Sequence, residues 1–140
     1  MTDDLIIQSA VSQNTLVYGR TLNTSRQHSY IVDGTRAPAE EVTPVEIFLG
    51  AVSACCVQWV EQFAREEGVE LSKIEVTIAG TRSHAETNRF QFVEMSVEGT
   101  GPSQSQLEDF VERFTERCPL YRTVRAATEV RMKVAASAGG

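Results

Sequence analysis

Thr43-Pro44-Val45-Glu46-Ile47-Phe48-Leu49-Gly50-Ala51-Val52-Ser53-Ala54-Cys55-Cys56 is the stretch that decides how this chain folds. Its first four residues spell a helix start. Thr43 supplies an N-cap oxygen, and Pro44 suits the first helical position because no N–H is needed there. Glu46, three residues after the cap, completes a capping box, and Val42 with Ile47 can form the flanking hydrophobic staple. From Ile47 to Val57 nearly every residue is apolar or small. A helix apolar all round is buried on most sides. The pattern runs to about Glu67, where Gly68 is a natural C-cap. In a chain of 140 residues, such a helix must be wrapped by a sheet, a second helix or another subunit.

On its N-terminal side, Asn14 to Gly19 has strand-like composition, Asn23-Thr24-Ser25 reads as a turn, and Ser29 to Asp33 reads as a second strand. A loop, Gly34 to Val42, follows. On the C-terminal side, Leu71 to Thr81 reads as a strand and Arg82 to Asn88 as a turn. Phe90 to Glu98 is a further strand, with a register shift at 92–93 that fits a bulge. Gly99-Thr100-Gly101-Pro102 breaks it. Ser103 can cap a second helix, whose apolar residues Leu107, Phe110, Val111 and Phe114 keep helical spacing. Pro119 follows, and a last strand spans about Ala127 to Val134. The order β-β-α-β-β-α-β predicts an α+β fold rather than a doubly wound parallel sheet. We expect one domain over residues 1–140.

Composition narrows the function. Hydrophobic residues at 41% and charged residues at 23% are ordinary for a globular chain. A net charge of -6 argues against a general nucleic-acid binder, which needs clustered Lys and Arg. No basic segment followed by an apolar stretch opens the sequence, and no apolar run approaches the roughly 18 residues that cross a bilayer. The expectation is therefore a cytoplasmic protein with no membrane role. In that compartment cysteine pairs tend to be catalytic, redox-sensing or metal-binding. Three cysteines without a CxxC, and two histidines, make a closed zinc site unexpected. No metal or cofactor is predicted.

Cys55 falls on a stripe with Phe48, Val52, Trp59 and Phe63 at helical steps. Cys118 sits four residues after Phe114 and continues the stripe of the second helix. Both thiols are thus expected on inward helix faces, where packing is the default reading for a cysteine. Cys56 points about 100° from Cys55 and reads as packing. A working thiol needs a lowered pKa from a nearby cation or helix N-terminus. Arg20, Arg26, Arg117 and Arg122 are the available cations, each of which also fits a solvated surface role. His28 and His84 sit in polar settings and read as surface.

At this point the residues match a family. TPVEIFLGAVSACC resembles a signature of the OsmC/Ohr superfamily, the osmotically inducible and organic hydroperoxide resistance proteins. There a Pro with a nearby Glu opens a long buried helix, and a Cys lies eleven residues after the Pro, as Cys55 follows Pro44. The later Arg117-Cys118-Pro119-Leu120-Tyr121-Arg122 resembles the second signature, a Cys-Pro leading into a short helical turn. The spacing of the two motifs and the element order also resemble the family's.

That resemblance implies an OsmC-like fold, with two long central helices packed against antiparallel sheets in an intertwined homodimer. It implies a thiol peroxidase for organic hydroperoxides, in which Cys55 becomes a sulfenic acid and Cys118 resolves it to a disulfide. A dithiol, lipoyl-type in the best-known branch, restores the pair. An arginine of the first hairpin orients the peroxide, with Arg20 the match and Arg26 second. Beside its capping role, Glu46 is compatible with orienting that arginine, and an apolar pocket around Cys55, formed by Phe48, Trp59, Phe63 and partner residues, would favour organic peroxides over hydrogen peroxide. One position departs from the hydroperoxide branch: the acidic residue directly after the Pro is Val45 here, and Glu46 comes one place later. The alternative is a non-catalytic redox sensor or apolar-ligand-binding protein with the same pocket.

Overall fold

A computed structural model describes residues 4–139. Two compact units divide the chain, residues 1–47 and residues 48–140. The first holds a sheet of three short strands, β1 (Val11–Asn14), β2 (Arg20–Ser25) and β3 (His28–Asp33), all antiparallel in the order β1-β2-β3. Helix α1 (Pro44–Glu66) starts near its end. The second unit carries β4 (Lys73–Thr81), β5 (Phe92–Thr100), α2 (Gln104–Arg117), α3 (Pro119–Ala127) and β6 (Glu129–Ser137).

The α1 start forms as its residues predict. Thr43 N–H donates to Glu46 Oε1 at 2.9 Å and Glu46 N–H donates to Thr43 Oγ1 at 3.2 Å, a complete capping box. Gly68 follows the helix with φ of 65°, a left-handed conformation that a side chain resists. A second capping box, Ser103 with Gln106, opens α2.

The α+β class holds, while several details differ from the sequence reading. Asn23-Thr24-Ser25 is strand, not turn: these residues pair with Tyr30, Ser29 and His28. The reversal falls at Arg26, whose φ is 54°. Residues 15–19 lie outside any strand, and Leu16 is fully exposed. No bulge occurs at 92–93, because pairing with β4 runs unbroken from Phe92↔Thr81 to Thr100↔Lys73. Gly99 is therefore inside β5.

The sheets are not wholly antiparallel. β4 and β5 form a hairpin, yet β5 and β6 are parallel. A parallel pair needs a crossover of a dozen or more residues, and α2 with α3 provides it. Ile74, Val76 and Ile78 of β4, Val93, Met95 and Val97 of β5, and Val130, Met132 and Val134 of β6 face one core. Val52, Cys56, Val60 and Phe63 of α1 and Leu107, Phe110, Val111 and Phe114 of α2 fill it. Arg113 lies over the Phe63 ring at 4.2 Å and pairs with Glu67 and Asp109, closing the end of the core.

By length and composition α1 could cross a bilayer, which the run-length reading overlooked. Here one stripe of it packs into the core, while Phe48, Gly50, Ala51 and Ala54 stay exposed.

Candidate functional site

Cys55 and Cys118 meet. Their sulfurs are 2.9 Å apart, close enough for one S–H to be shared between them. Cys55 projects from the middle of α1 and is partly exposed, while Cys118 is fully buried. An agent from solvent therefore reaches Cys55 first.

Cys118 does not continue α2 as the stripe predicted. Pro119 cannot extend that helix, so Cys118 becomes the hinge between two helices. Its N–H donates to Phe114 O as the C-cap of α2. Its Sγ accepts the Tyr121 N–H at 3.4 Å as the N-cap of α3, with Pro119 at the first helical position. The Cys-Pro dipeptide was the available signal, because Pro at the first position marks a helix start.

Burial pushes the Cys55 thiol up to about 11, the adjacent Cys118 sulfur adds to that, and a hydrogen bond from Trp59 opposes it. Cys56 faces the core with no exposure. Its burial pushes its thiol up to about 12, which leaves it an inert hydrophobe.

The apolar residues predicted around Cys55 are spread out. Trp59 sits one turn beyond it and packs on Phe63 with ring centroids 5.4 Å apart. Phe63 is fully buried against Phe110, so it belongs to the core rather than to an open pocket. Phe48, two turns before Cys55 on the same stripe, stacks on Phe90 at 6.3 Å. The pair lines a hollow of about 290 Å³ with Arg89, Thr123, Val124, Ala127 and Thr128. Seven residues of helix place that hollow roughly 10 Å along α1 from Cys55. Arg117 lies over Phe63 at 5.4 Å.

Within residues 1–47, Arg20 opens β2 and donates Nε to Asp33 Oδ1 at 2.7 Å, with a second nitrogen donating to Asp33 Oδ2 at 2.9 Å and to Glu40 at 2.8 Å. Its carboxylate partners are thus Asp33 and Glu40, and Glu46 is engaged by Thr43 instead. Sequence reasoning missed Asp33, which ends a strand and carries no motif. Asp33 is fully buried and also accepts the N–H groups of Glu40 and Glu41. Arg26 is exposed in the β2–β3 turn.

The Arg20 guanidinium, with those two N–H donors, holds the Asp33 carboxyl at about 2, below its ordinary 3.8. A carboxyl depressed on folding adds stability above its unfolded pKa and loses it as pH falls through the folded one. Asp33→Asn is therefore expected to destabilise the protein at neutral pH. Its gap to wild type should narrow between about pH 4 and about pH 2, as read by urea unfolding across that range. A gap independent of pH would mean that the ion pair adds nothing.

Among the described residues no cluster of His, Cys, Asp and Glu could hold a metal ion.

A long helix packed on the sheet of β4, β5 and β6, with a cysteine from its middle against a Cys-Pro hinge, defines a two-thiol α+β protein. Residues 37–133 match the family model described as OsmC-like protein. The chain belongs to that family, within the OsmC/Ohr superfamily. No curated protein sequence matches it significantly. Solved structures are similar in fold. A hypothetical protein from Aquifex aeolicus VF5 superimposes with a TM-score of 0.86 at 14% identity, covering 97% of this chain and 100% of that one. An OsmC like protein from Mycoplasma pneumoniae gives 0.77 at 18%, covering 99% and 100%. An organic hydroperoxide resistance protein OsmC from Legionella pneumophila gives 0.74 at 17%, covering 95% and 99%. At these identities the likeness is one of fold.

Proposed function

We propose that this chain is a thiol peroxidase that reduces organic hydroperoxides in oxidative stress defence. The observation that carries the reading is the sulfur pair: an accessible Cys55 held 2.9 Å from a buried Cys118. In this reading the Cys55 thiolate attacks the terminal peroxide oxygen and becomes a sulfenic acid, and an alcohol leaves. Cys118 then condenses with it to a disulfide, releasing water, and an external dithiol of lipoyl type reduces the bridge. Buried in its hinge, Cys118 is shielded from over-oxidation while staying within reach. Membership of the OsmC-like family and fold neighbours named for organic hydroperoxide resistance support the chemistry.

Arg20 takes the peroxide-orienting role that the resemblance assigns, with Arg26 as the second choice. The Asp33 and Glu40 carboxylates engage it where the family's acidic residue is replaced by Val45. Trp59 beside Cys55 and the hollow at Phe48 supply apolar surface that favours an organic peroxide over hydrogen peroxide. In this reading the protein is cytoplasmic and a homodimer, and the exposed apolar residues of α1 support the second copy, which would cover them. Phe63 is left out of the substrate surface because it is core.

One observation favours a second reading, a redox sensor or apolar-ligand-binding protein without useful turnover. Burial raises the Cys55 thiol instead of lowering it, which slows attack. Turnover separates the two. Under the peroxidase reading, wild type consumes many equivalents of tert-butyl hydroperoxide with dihydrolipoate present. A single equivalent consumed, ending in a stable disulfide, would establish the sensor.

A further inference from the structure

Arg20 is shared by two carboxylates that hold it on unequal terms. Asp33 has no exposure and takes two N–H groups of the guanidinium, from Nε at 2.7 Å and from Nη2 at 2.9 Å. It also accepts the backbone N–H groups of Glu40 at 3.0 Å and Glu41 at 3.1 Å, which fix its orientation. Glu40 is the outer partner. Its side chain is 67% exposed and takes one further N–H from Nη2 at 2.8 Å. An arginine fork has five N–H groups. Among the described residues the Arg20 bonds all leave from Nε and Nη2, so the two N–H groups of Nη1 remain for a ligand.

One guanidinium between two carboxylates is a cluster of net negative charge. Arg36 and Glu41, the other charged side chains of the loop from Gly34 to Val42, are both exposed and opposite in sign. The chain as a whole carries a net charge of -6. Such a cluster still donates hydrogen bonds but attracts anions poorly. We propose that Glu40 is a specificity-determining residue, which limits the Arg20 site to uncharged hydroperoxides and turns away those that carry a carboxylate. This rests on the peroxidase reading, in which Arg20 orients the peroxide. A neutral hydroperoxide needs only an N–H directed at a peroxide oxygen, and Nη1 can supply it. A hydroperoxide with a carboxylate competes with Glu40 for the guanidinium and is repelled by it.

The two carboxylates divide the work. Asp33 is held by Arg20 and two backbone donors well below the usual carboxylate range, so it stays ionised and keeps the guanidinium in place. Glu40 supplies the adjustable charge. The bond that ties its loop to Asp33 leaves from the Glu40 backbone N–H, which Glu40→Gln and Glu40→Lys both retain. Its charge can therefore be changed without undoing the loop. One unit charge a few ångströms away in a watery setting changes affinity by on the order of fivefold, and by less as salt is added.

The test compares full-length wild type, Glu40→Gln and Glu40→Lys on two hydroperoxides that differ in one charge. These are cumene hydroperoxide bearing a para-carboxylate, and its methyl ester, with dihydrolipoate as reductant. Wild type is expected to favour the ester in kcat/KM by about fivefold at low salt. Glu40→Gln should remove most of that preference, Glu40→Lys should move it further towards the acid, and high salt should draw all three ratios together. A purely structural role would slow both substrates alike, so an unchanged ratio would overturn the proposal. A peroxide-free readout separates the role of Glu40 from the reaction itself. The Arg20 Nε–H, locked against Asp33, is followed by NMR as sodium benzoate is added. Benzoate should bind Glu40→Gln about fivefold more tightly than wild type. Equal affinities, or no shift in either protein, would overturn the proposal. If neither hydroperoxide is consumed while benzoate discriminates as expected, the exclusion of anions at Arg20 stands and the peroxidase reading fails. If both are consumed with one ratio in all three proteins, the role of Glu40 fails alone.

Discussion

Cys55→Ser is expected to lower turnover of tert-butyl hydroperoxide by a factor on the order of a thousand or more. The reason is chemical. The reaction needs a thiolate, and a serine hydroxyl is neither ionised near neutral pH nor soft enough to attack a peroxide oxygen. Serine is close in size, and the partly exposed Cys55 position tolerates an oxygen, so the fold should survive. Circular dichroism that matches wild type would separate lost chemistry from lost structure. Cys56→Ala is the control next door. Cys56 has no exposure and faces the core, so the variant should lose some stability while each folded molecule keeps its turnover. Turnover retained in Cys55→Ser, or abolished in Cys56→Ala, would move the nucleophile to the wrong residue.

The largest effect on stability is expected at Gly101, in the turn from β5 toward α2. Its φ is 119°, a region that side chains rarely enter, and an added Cβ would clash with the Glu70 carbonyl oxygen. That neighbour is backbone, so it cannot rotate away. Gly101 also donates its N–H to Ser137 O at 3.0 Å, joining the start of the crossover to the end of β6. Relief of the clash would loosen that bond. Strain at such a conformation together with a backbone shift puts the cost of Gly101→Ala at about 3 kcal/mol. In a chain this size that lowers Tm by on the order of 10 °C. Thermal unfolding within a degree or two of wild type would show that this turn is free to rearrange.

The parts of the fold that were legible share one property: their signals are local. The α1 start was written in a capping box, the α2 start in the Ser103 cap, and the α1 stop in Gly68, because caps are satisfied by residues three or four apart. The N-terminal hairpin was misplaced because its cues pointed the wrong way. Asn23 is a turn residue by habit, yet here it is buried in a strand, taking the Ser12 hydroxyl and donating to Tyr30 O. The real turn uses Arg26 in a left-handed conformation, for which the sequence offers neither Asn nor Gly. Leu16-Val17-Tyr18 looks like a strand and is an exposed loop. The parallel pairing of β5 with β6 is set by how α2 and α3 return the chain, a long-range choice that strand composition does not record.

At the candidate site, the meeting of Cys55 and Cys118 was legible from paired motifs, although the reason given for Cys118 was wrong. It is not the last rung of a helical stripe but a shared cap. Phe63 was assigned to a pocket because periodicity fixes a face and not a depth. Asp33 was invisible for a related reason: a strand-end carboxylate becomes notable only when Arg20 is found against it.

The decisive question is which sulfur reacts with which. The direct measurement is peptide mass spectrometry of the reduced protein after one equivalent of tert-butyl hydroperoxide, with thiols blocked at acid pH. The predicted result is a Cys55–Cys118 disulfide in nearly every chain, with Cys56 recovered as a free thiol. Recovery of all three thiols unchanged, or a bridge that includes Cys56, would contradict it.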